Sequence, residues 1–439
     1  MDLPELLDEA AARHDVTGAA VAVGHGDTLI EAATGVLNRD TGVEATPDSV
    51  FQIGSVAKVW TAALVMQLVD EGLVELDEPV RRYLPTFGVV DRTASETVTV
   101  RQLLLHTGGF DGDLFEDTGR GDDALDRYVA HLRDHATQVS PPGALYSYSN
   151  AGFAVLGALA AHLRGGTWES VLRERLIEPL GARHMALLAE EAILFRAAAG
   201  HVGGAVVRPW QLPRSLAPAG TTACAAPREL VRFGRLFLDD GADLLSAGAV
   251  AAMTSAQLTL PGAGVPGGGR RGLGFEIYDW DGAAVHGHDG DVIGQATVWR
   301  VVPGHRLVVA ICSTGARSVA FFDEVLTTVV RELTGLTVPA RPVPPAGPHE
   351  PGPARFAGRY GFPLGTYEIT PTDDGLEVTA TPRGPAAAAG ESPSTRRYVA
   401  LAGTTFISTE PSQGRFDTFT ILDDGQYLYG GRLARRLTA

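Results

Sequence analysis

The sequence predicts an α/β (α+β) chain in which an antiparallel sheet packs against a helical body and a small all-β domain follows. Strand-like runs stand on both sides of a helical middle in the stretch ending near Leu333. A proline-rich segment comes next, TVPARPVPPAGPHEPGP from Thr337 to Pro353. From Phe356 to the C-terminus the pattern is short alternating runs separated by polar turns, as in a small barrel or sandwich. The implied division is a catalytic-sized domain over 1–337, a linker over 338–354 and a β domain over 355–439.

The elements follow in order. A helix is expected from about Pro4 to His14, and then two strands in AAVAVGHGDTLIEAATG joined by a Gly-Asp turn. From Ser55 to Gly72 the apolar residues Val59, Ala62, Leu64, Val65 and Leu68 recur three to four apart, which is helical spacing. Further helices are DALDRYVAHLRDH, AGFAVLGALAAHL and PRELVRFGRLFL. The period then switches to strands, GLGFEIYDW, AAVHGH, ATVWRVV and HRLVVAIC, before a last helix VAFFDEVLTTVVREL. In the β domain the runs are YEITPT, LEVTAT, RYVALA, TTFIST, DTFTIL and YLYGGRL.

Composition narrows the function classes. A formal net charge of −16 over 439 residues disfavours nucleic acid as a partner, because phosphate contacts need clustered Lys and Arg. No stretch is long and apolar enough for a membrane span, and the acidic N-terminus lacks the features of a secretory signal, so a cytoplasmic protein is expected. Cys224 and Cys312 both stand in apolar surroundings and read as buried free thiols. Lys58 is the sole lysine; the other 35 of the 36 basic residues are arginine. A lysine kept in so arginine-rich a chain points to a task that a guanidinium cannot perform. A buried amine can lose its proton and act as a base, whereas Arg stays charged.

Three short motifs could carry chemistry. In FQIGSVAKVW, Ser55 and Lys58 are one helical turn apart, so the amine can accept the hydroxyl proton, and the Ser55 N–H lies at a helix start where it can stabilise an oxyanion. In PPGALYSYSNAGF, Tyr148 can relay a proton and the Asn150 amide can hold both the lysine and a substrate carbonyl; Ser-Asn before an apolar run also reads as an ordinary helix N-cap. In AAVHGHDGDVIGQ, a strand with the small residue Gly290 where substrate approaches offers the Asp291 N–H as a second oxyanion donor, with His288 and Asp289 beside it. His286, His288 and Asp289 superficially resemble a zinc run, but a further His is missing where Asp291 stands, and no metal or other cofactor is expected.

In this order the motifs resemble the S-x-x-K, Y-x-N and K-T-G-like elements of penicillin-binding proteins and class C β-lactamases. LLLHTGGF and PAGTTACAAPRELVRF resemble connecting motifs of the same superfamily, and the likeness spans roughly residues 5–335. It implies a serine β-lactamase/DD-peptidase-like fold and a covalent acyl-Ser55 intermediate. The third motif departs from the pattern, with His288 in the lysine position and Asp289 in place of Thr or Ser, which weakens the case for β-lactam or D-Ala-D-Ala substrates. His-x-Gly combined with a lipocalin-like C-terminal barrel resembles the stand-alone penicillin-binding-protein-type thioesterases, which release nonribosomal peptides by head-to-tail macrocyclisation. That likeness implies a peptidyl thioester or ester substrate and a carrier protein as partner. The D-stereospecific esterases and aminopeptidases are the alternative, with β-lactamase, carboxypeptidase and acylated-sensor readings behind them. An arginine near the C-terminus of the barrel faces the catalytic mouth in the thioesterases, which points to Arg432, after the paired glycines of YLYGGRL, as a substrate contact.

Overall fold

The computed structural model describes residues 2–262, 268–315, 319–384, 387 and 392–438. The body is built on a nine-stranded sheet of β1 (Gly18–His25), β2 (Thr28–Asn38), β3 (Val43–Glu44), β4 (Leu258–Thr259), β5 (Arg270–Arg271), β6 (Glu276–Trp280), β7 (Ala283–Val292), β8 (Gln295–Val302) and β9 (Leu307–Thr314). Their spatial order is β3-β2-β1-β9-β8-β7-β6-β5-β4, so the first hairpin is zipped antiparallel onto the last strand of the body. β8 and β9 are buried along their whole length, because both sheet faces are covered. One face carries α1 (Leu3–Arg13) and α6 (Val319–Thr334), through Leu3, Leu7, Phe321 and Val325.

The other face carries the helical body: α2 (Ala57–Asp70), α3 (Ala124–His135), α4 (Asn150–Arg164) and α5 (Pro227–Arg235). α2 is apolar on every side and buried from Ala57 to Leu68, as a helix surrounded by protein must be. Trp60 stacks on Phe233 of α5 with ring centroids 3.9 Å apart, which fixes α2 against the sheet side of the body. Truncating such a ring to Ala costs about 3–5 kcal/mol. The helix expected to begin at Ser55 starts instead with a 3₁₀ turn, Gly54–Val56, and becomes α-helical at Ala57. A small sheet that the sequence did not announce, Phe51–Gln52 with Cys224–Ala225 and Met185–Ala186, anchors the strand leading into that turn. Cys224 and Cys312 are buried free thiols.

The residues from 335 to 353 hold no helix or strand. Beyond them β10 (Gly358–Phe362), β11 (Gly365–Thr372), β12 (Gly375–Pro382), β13 (Ser394–Ala402), β14 (Thr405–Ser408), β15 (Thr418–Leu422), β16 (Tyr427–Tyr429) and β17 (Leu433–Arg436) close into a barrel. Closure joins β10 to β17 with Tyr360 opposite Arg436, which removes both exposed edges and decides between barrel and sandwich. β10 was not anticipated: GRYGF has two glycines and no aliphatic alternation, although it forms a hairpin with β11 and also pairs with β17 at the far end of the chain. The barrel docks on the body through its last hairpin. Tyr148 N–H donates to Gly431 O at 3.1 Å, Leu433 N–H donates to Ser147 Oγ at 3.1 Å, and Tyr146, Tyr429 and Leu433 form an apolar seam.

Candidate active site

Ser55, Tyr148, Asn150, His288, Asp289, Gly290, Asp291 and Arg432 all line one cavity of about 520 Å³ between the sheet, the helical body and the barrel. The nucleophile turn is held by close backbone packing. Gly220 has φ +108, and a Cβ there would lie 2.0 Å from Gly54 O. A Cβ at Gly290 would lie 1.9 Å from Ile53 O. Gly290 is therefore small because strand β7 presses against the residues before Ser55, and it also lines the cavity. β6 pairs with β7 only as far as Gly287, so His288 to Val292 run on past the end of β6 and along the cavity.

Lys58, wholly buried beneath Ser55, has a defined set of neighbours. Its Nζ lies 2.7 Å from Asn150 Oδ1, 2.7 Å from Ala219 O and 3.0 Å from Ser55 Oγ. A neutral amine has two N–H donors and one lone pair. The carbonyl and the amide oxygen accept only, so they take the two donors and the lone pair is left facing the Ser55 hydroxyl. Burial pushes the Lys58 pKa well below its ordinary value, the Arg432 charge pushes the same way, and Asp113 opposes both.

The Asn150 amide holds the lysine as expected, but Nδ2 donates to Asp113 Oδ1 at 2.6 Å. The preceding Ser149 is the N-cap of α4 and accepts from Gly152 N–H, so the capping reading of Ser-Asn holds while Asn150 itself contacts Lys58. Tyr148 sits with its ring 4.8 Å from Lys58 Nζ, and its hydroxyl is hydrogen-bonded to Ser55. Burial raises the Tyr148 pKa far more than that bond lowers it, so the group is a neutral hydroxyl and not a tyrosinate. His106 stacks on the Tyr148 ring at 4.4 Å and accepts the Ser149 N–H on Nδ1, which fixes the tyrosine's plane.

His288 is buried, not an exposed strand-edge residue, and burial lowers its pKa. Its Nδ1 is 2.5 Å from the backbone oxygen of Asp289. The Asp289 carboxylate accepts from Arg300 at 2.7 Å, and the charge of Glu276 acts on the His288 imidazole. Glu276 pairs with Arg271, whose Nε donates to Tyr146 Oη at 3.3 Å. Positive charge absent from the third motif thus surrounds the same cavity as Arg271, Arg300 and Arg432. Arg432 is ion-paired with Asp113 and lies over Tyr148, its guanidinium carbon 5.1 Å from the ring centre.

Asp113, His106, Ala219, Arg271 and Arg300 were not singled out from the sequence. Two of them stood in resembling motifs, His106 in LLLHTGGF and Ala219 in PAGTTACAAPRELVRF, and that was the available signal. His286, whose zinc-like spacing was set aside, is buried against the Phe275 ring at 5.2 Å. Arg271, Arg415, Tyr429 and Gly431 also border a second cavity of about 520 Å³, lined further by barrel residues such as Tyr367, Tyr398 and Phe419. Among the described residues no helix is long and apolar enough to cross a membrane.

The β-lactamase family matches residues 3–331. The chain is 42% identical over 370 residues to penicillin-binding protein 4 of Amycolatopsis lactamdurans, covering 81% of this chain and 96% of that protein. It is 30% identical over 203 residues to esterase EstB of Burkholderia gladioli, covering 43% of this chain and 52% of that one. Among solved structures it is similar to SurE, crystallised with D-Leu, at a TM-score of 0.78 and 28% identity over 99% of this chain and 98% of that one. With the fold and the family match in agreement, the chain belongs to the β-lactamase and penicillin-binding-protein-like superfamily of serine hydrolases and acyltransferases.

Proposed function

We propose that this chain is a peptidyl thioesterase that acts through an acyl-Ser55 intermediate and releases its peptide by head-to-tail macrocyclisation. The observation that carries the chemistry is the Lys58 amine, whose two donors are spent on Asn150 Oδ1 and Ala219 O while its lone pair meets Ser55 Oγ at 3.0 Å. The Ser55 proton passes to Lys58 as Oγ attacks the thioester carbonyl. The N–H groups of Ser55 and Asp291 take the oxyanion. Tyr148, hydrogen-bonded to Ser55, passes a proton to the leaving thiolate and takes its replacement from the Lys58 ammonium, so both groups are neutral again in the acyl-enzyme. The peptide's own N-terminal amine then attacks, gives up its proton through Tyr148 and Lys58, and Ser55 leaves protonated. His288, its Nδ1 on Asp289 O, positions the strand that borders the acyl group. The guanidinium of Arg432 has donors beyond those given to Asp113 and contacts a peptide carbonyl or carboxylate.

The substrate class is supported by the likeness to SurE, which extends over the barrel as well as the body, and by a second cavity that shares Arg271, Arg415, Tyr429 and Gly431 with the first. The thioester donor is a carrier protein of a nonribosomal synthetase, and the reaction belongs in the cytoplasm. The test is mass spectrometry of products from peptidyl thioester mimics ending in D or L residues. Cyclic product, lighter than the linear acid by one water, is expected from one stereochemical series. Linear acid alone, from every substrate, would transfer the site to the esterase and amidase alternative, which the partial likeness to EstB favours. Ser55→Ala should form no acyl adduct by intact-protein mass; an identical adduct on that variant would remove Ser55 from the reaction.

A further inference from the structure

Arg432 and Ser55 come from opposite ends of the chain, yet a continuous run of polar contacts joins them. The Arg432 guanidinium donates to both carboxylate oxygens of Asp113. Asp113 Oδ1 accepts from Asn150 Nδ2 at 2.6 Å, Asn150 Oδ1 accepts from Lys58 Nζ at 2.7 Å, and Nζ is 3.0 Å from Ser55 Oγ. Orientation passes along this run. Were the Asn150 amide turned over, its NH₂ would face the lysine donors and its oxygen would face a carboxylate. Asp113 therefore decides which way the amide points. Asp113 is only 5% exposed, and a carboxylate so buried needs a countercharge. The ion pair it makes is with Arg432, from the barrel.

We propose that Arg432 is a positioning residue for the general base: through Asp113 and Asn150 it holds the Lys58 amine on Ser55, which makes the barrel part of the base assembly. The proposal rests on Ser55 as nucleophile, which Ser55→Ala tests separately with the same ester used below. The groups facing Lys58 are Ser55, the Asn150 amide, Ala219 O and the rings of Tyr148 and Phe153, with the charges of Arg432 and Asp113 and the imidazoles of His106 and His288 beyond them. Arg432 disfavours the ammonium form and Asp113 favours it, so removing one or the other must act in opposite directions.

The experiment is kcat/KM against pH with p-nitrophenyl acetate, whose two-carbon acyl part carries no peptide carbonyl or carboxylate for Arg432 to bind. Arg432→Gln is expected to lose about ten- to a hundredfold, as misplaced catalytic groups do, and to move the acidic limb to higher pH. Asp113→Asn should move that limb to lower pH. The double variant should return it toward wild type, with a loss smaller than the sum of the singles. Arg432→Lys, keeping the charge, should leave the limb near wild type. Melting temperatures establish that each variant is folded, and if Arg432→Gln is not, Arg432→Lys and Asp113→Asn still give opposed readings. An unshifted limb and unchanged kcat/KM on the acetate ester, with a raised KM on long peptidyl thioesters alone, would make Arg432 a substrate contact only and overturn the proposal.

Discussion

Gly290 and Ile53 meet so closely that a Cβ on the glycine would stand 1.9 Å from the carbonyl oxygen of Ile53. Strand β7 and the turn bearing Ser55 are thus in backbone contact, and the spacing between the nucleophile and the strand residues His288 to Asp291 depends on it. Gly290→Ala is expected to lower stability by about 1–3 kcal/mol, the usual cost of overpacking, and to depress turnover by about a hundredfold. Gly304→Ala is the control, since nothing lies within 4 Å of a Cβ there. Thermal melts and ester turnover read the two effects, and equal kinetics for both variants would show that the contact does not set the site.

Lys58→Arg should be nearly as inactive as Lys58→Ala. The side chain is wholly buried, and a guanidinium cannot supply the lone pair that faces Ser55. Burst kinetics on an activated ester measure this. Retention of more than about a tenth of the wild-type rate, a loss under about 1.4 kcal/mol, would mean that Lys58 acts as a fixed charge.

Because burial holds the Lys58 pKa well below 10.5, activity should rise as the amine deprotonates on a limb lying far below the ordinary lysine range. The sign for stability follows the same proton. The unfolded chain carries Lys58 as ammonium and the folded chain as amine, so the unfolded state binds more protons between the folded value and 10.5. Stability of the wild type relative to Lys58→Met should therefore increase as pH rises through that window. Urea titrations at several pH values check it; a difference that shrinks with rising pH would mean that the folded state holds the ammonium.

Tyr148→Phe removes the neutral hydroxyl at Ser55 and keeps the ring stacked on His106. The fold should be retained, and attack on the acyl-enzyme should slow more than its formation, by about 10²–10⁴-fold for a lost proton relay. Intact-protein mass spectrometry after thioester addition should then show acyl-Ser55 persisting. Wild-type turnover would place the relay elsewhere.

The fold class and the order of elements were legible because the long elements differ in pattern: α6 repeats at helical spacing, α4 is a long, mostly apolar run, and β8 and β9 are short runs rich in β-branched residues. β10 was not, since GRYGF carries no alternation of its own, and its closing pair with β17 joins it to residues some seventy positions on. The same division holds at the site. Ser55 and Lys58 are three residues apart and can be read locally. Asp113 and Asn150 are separated by 37 residues and meet through packing of the body, and Asp113 and Arg432, 319 apart, meet through docking of the barrel, so no local spacing announces either pair. His288 was legible by position, but its burial and the Arg300 partner of Asp289 depend on neighbouring strands.

The lone buried lysine has a consequence for the surface. With Lys58 enclosed, the outside of this protein presents arginine as its side-chain cation and offers no lysine amine. Activated thioesters acylate exposed lysine amines without any catalyst, whereas guanidinium groups, protonated throughout, do not compete. Under the proposed function such donors meet a surface without lysine, and the one lysine amine of the sequence lies buried beneath Ser55.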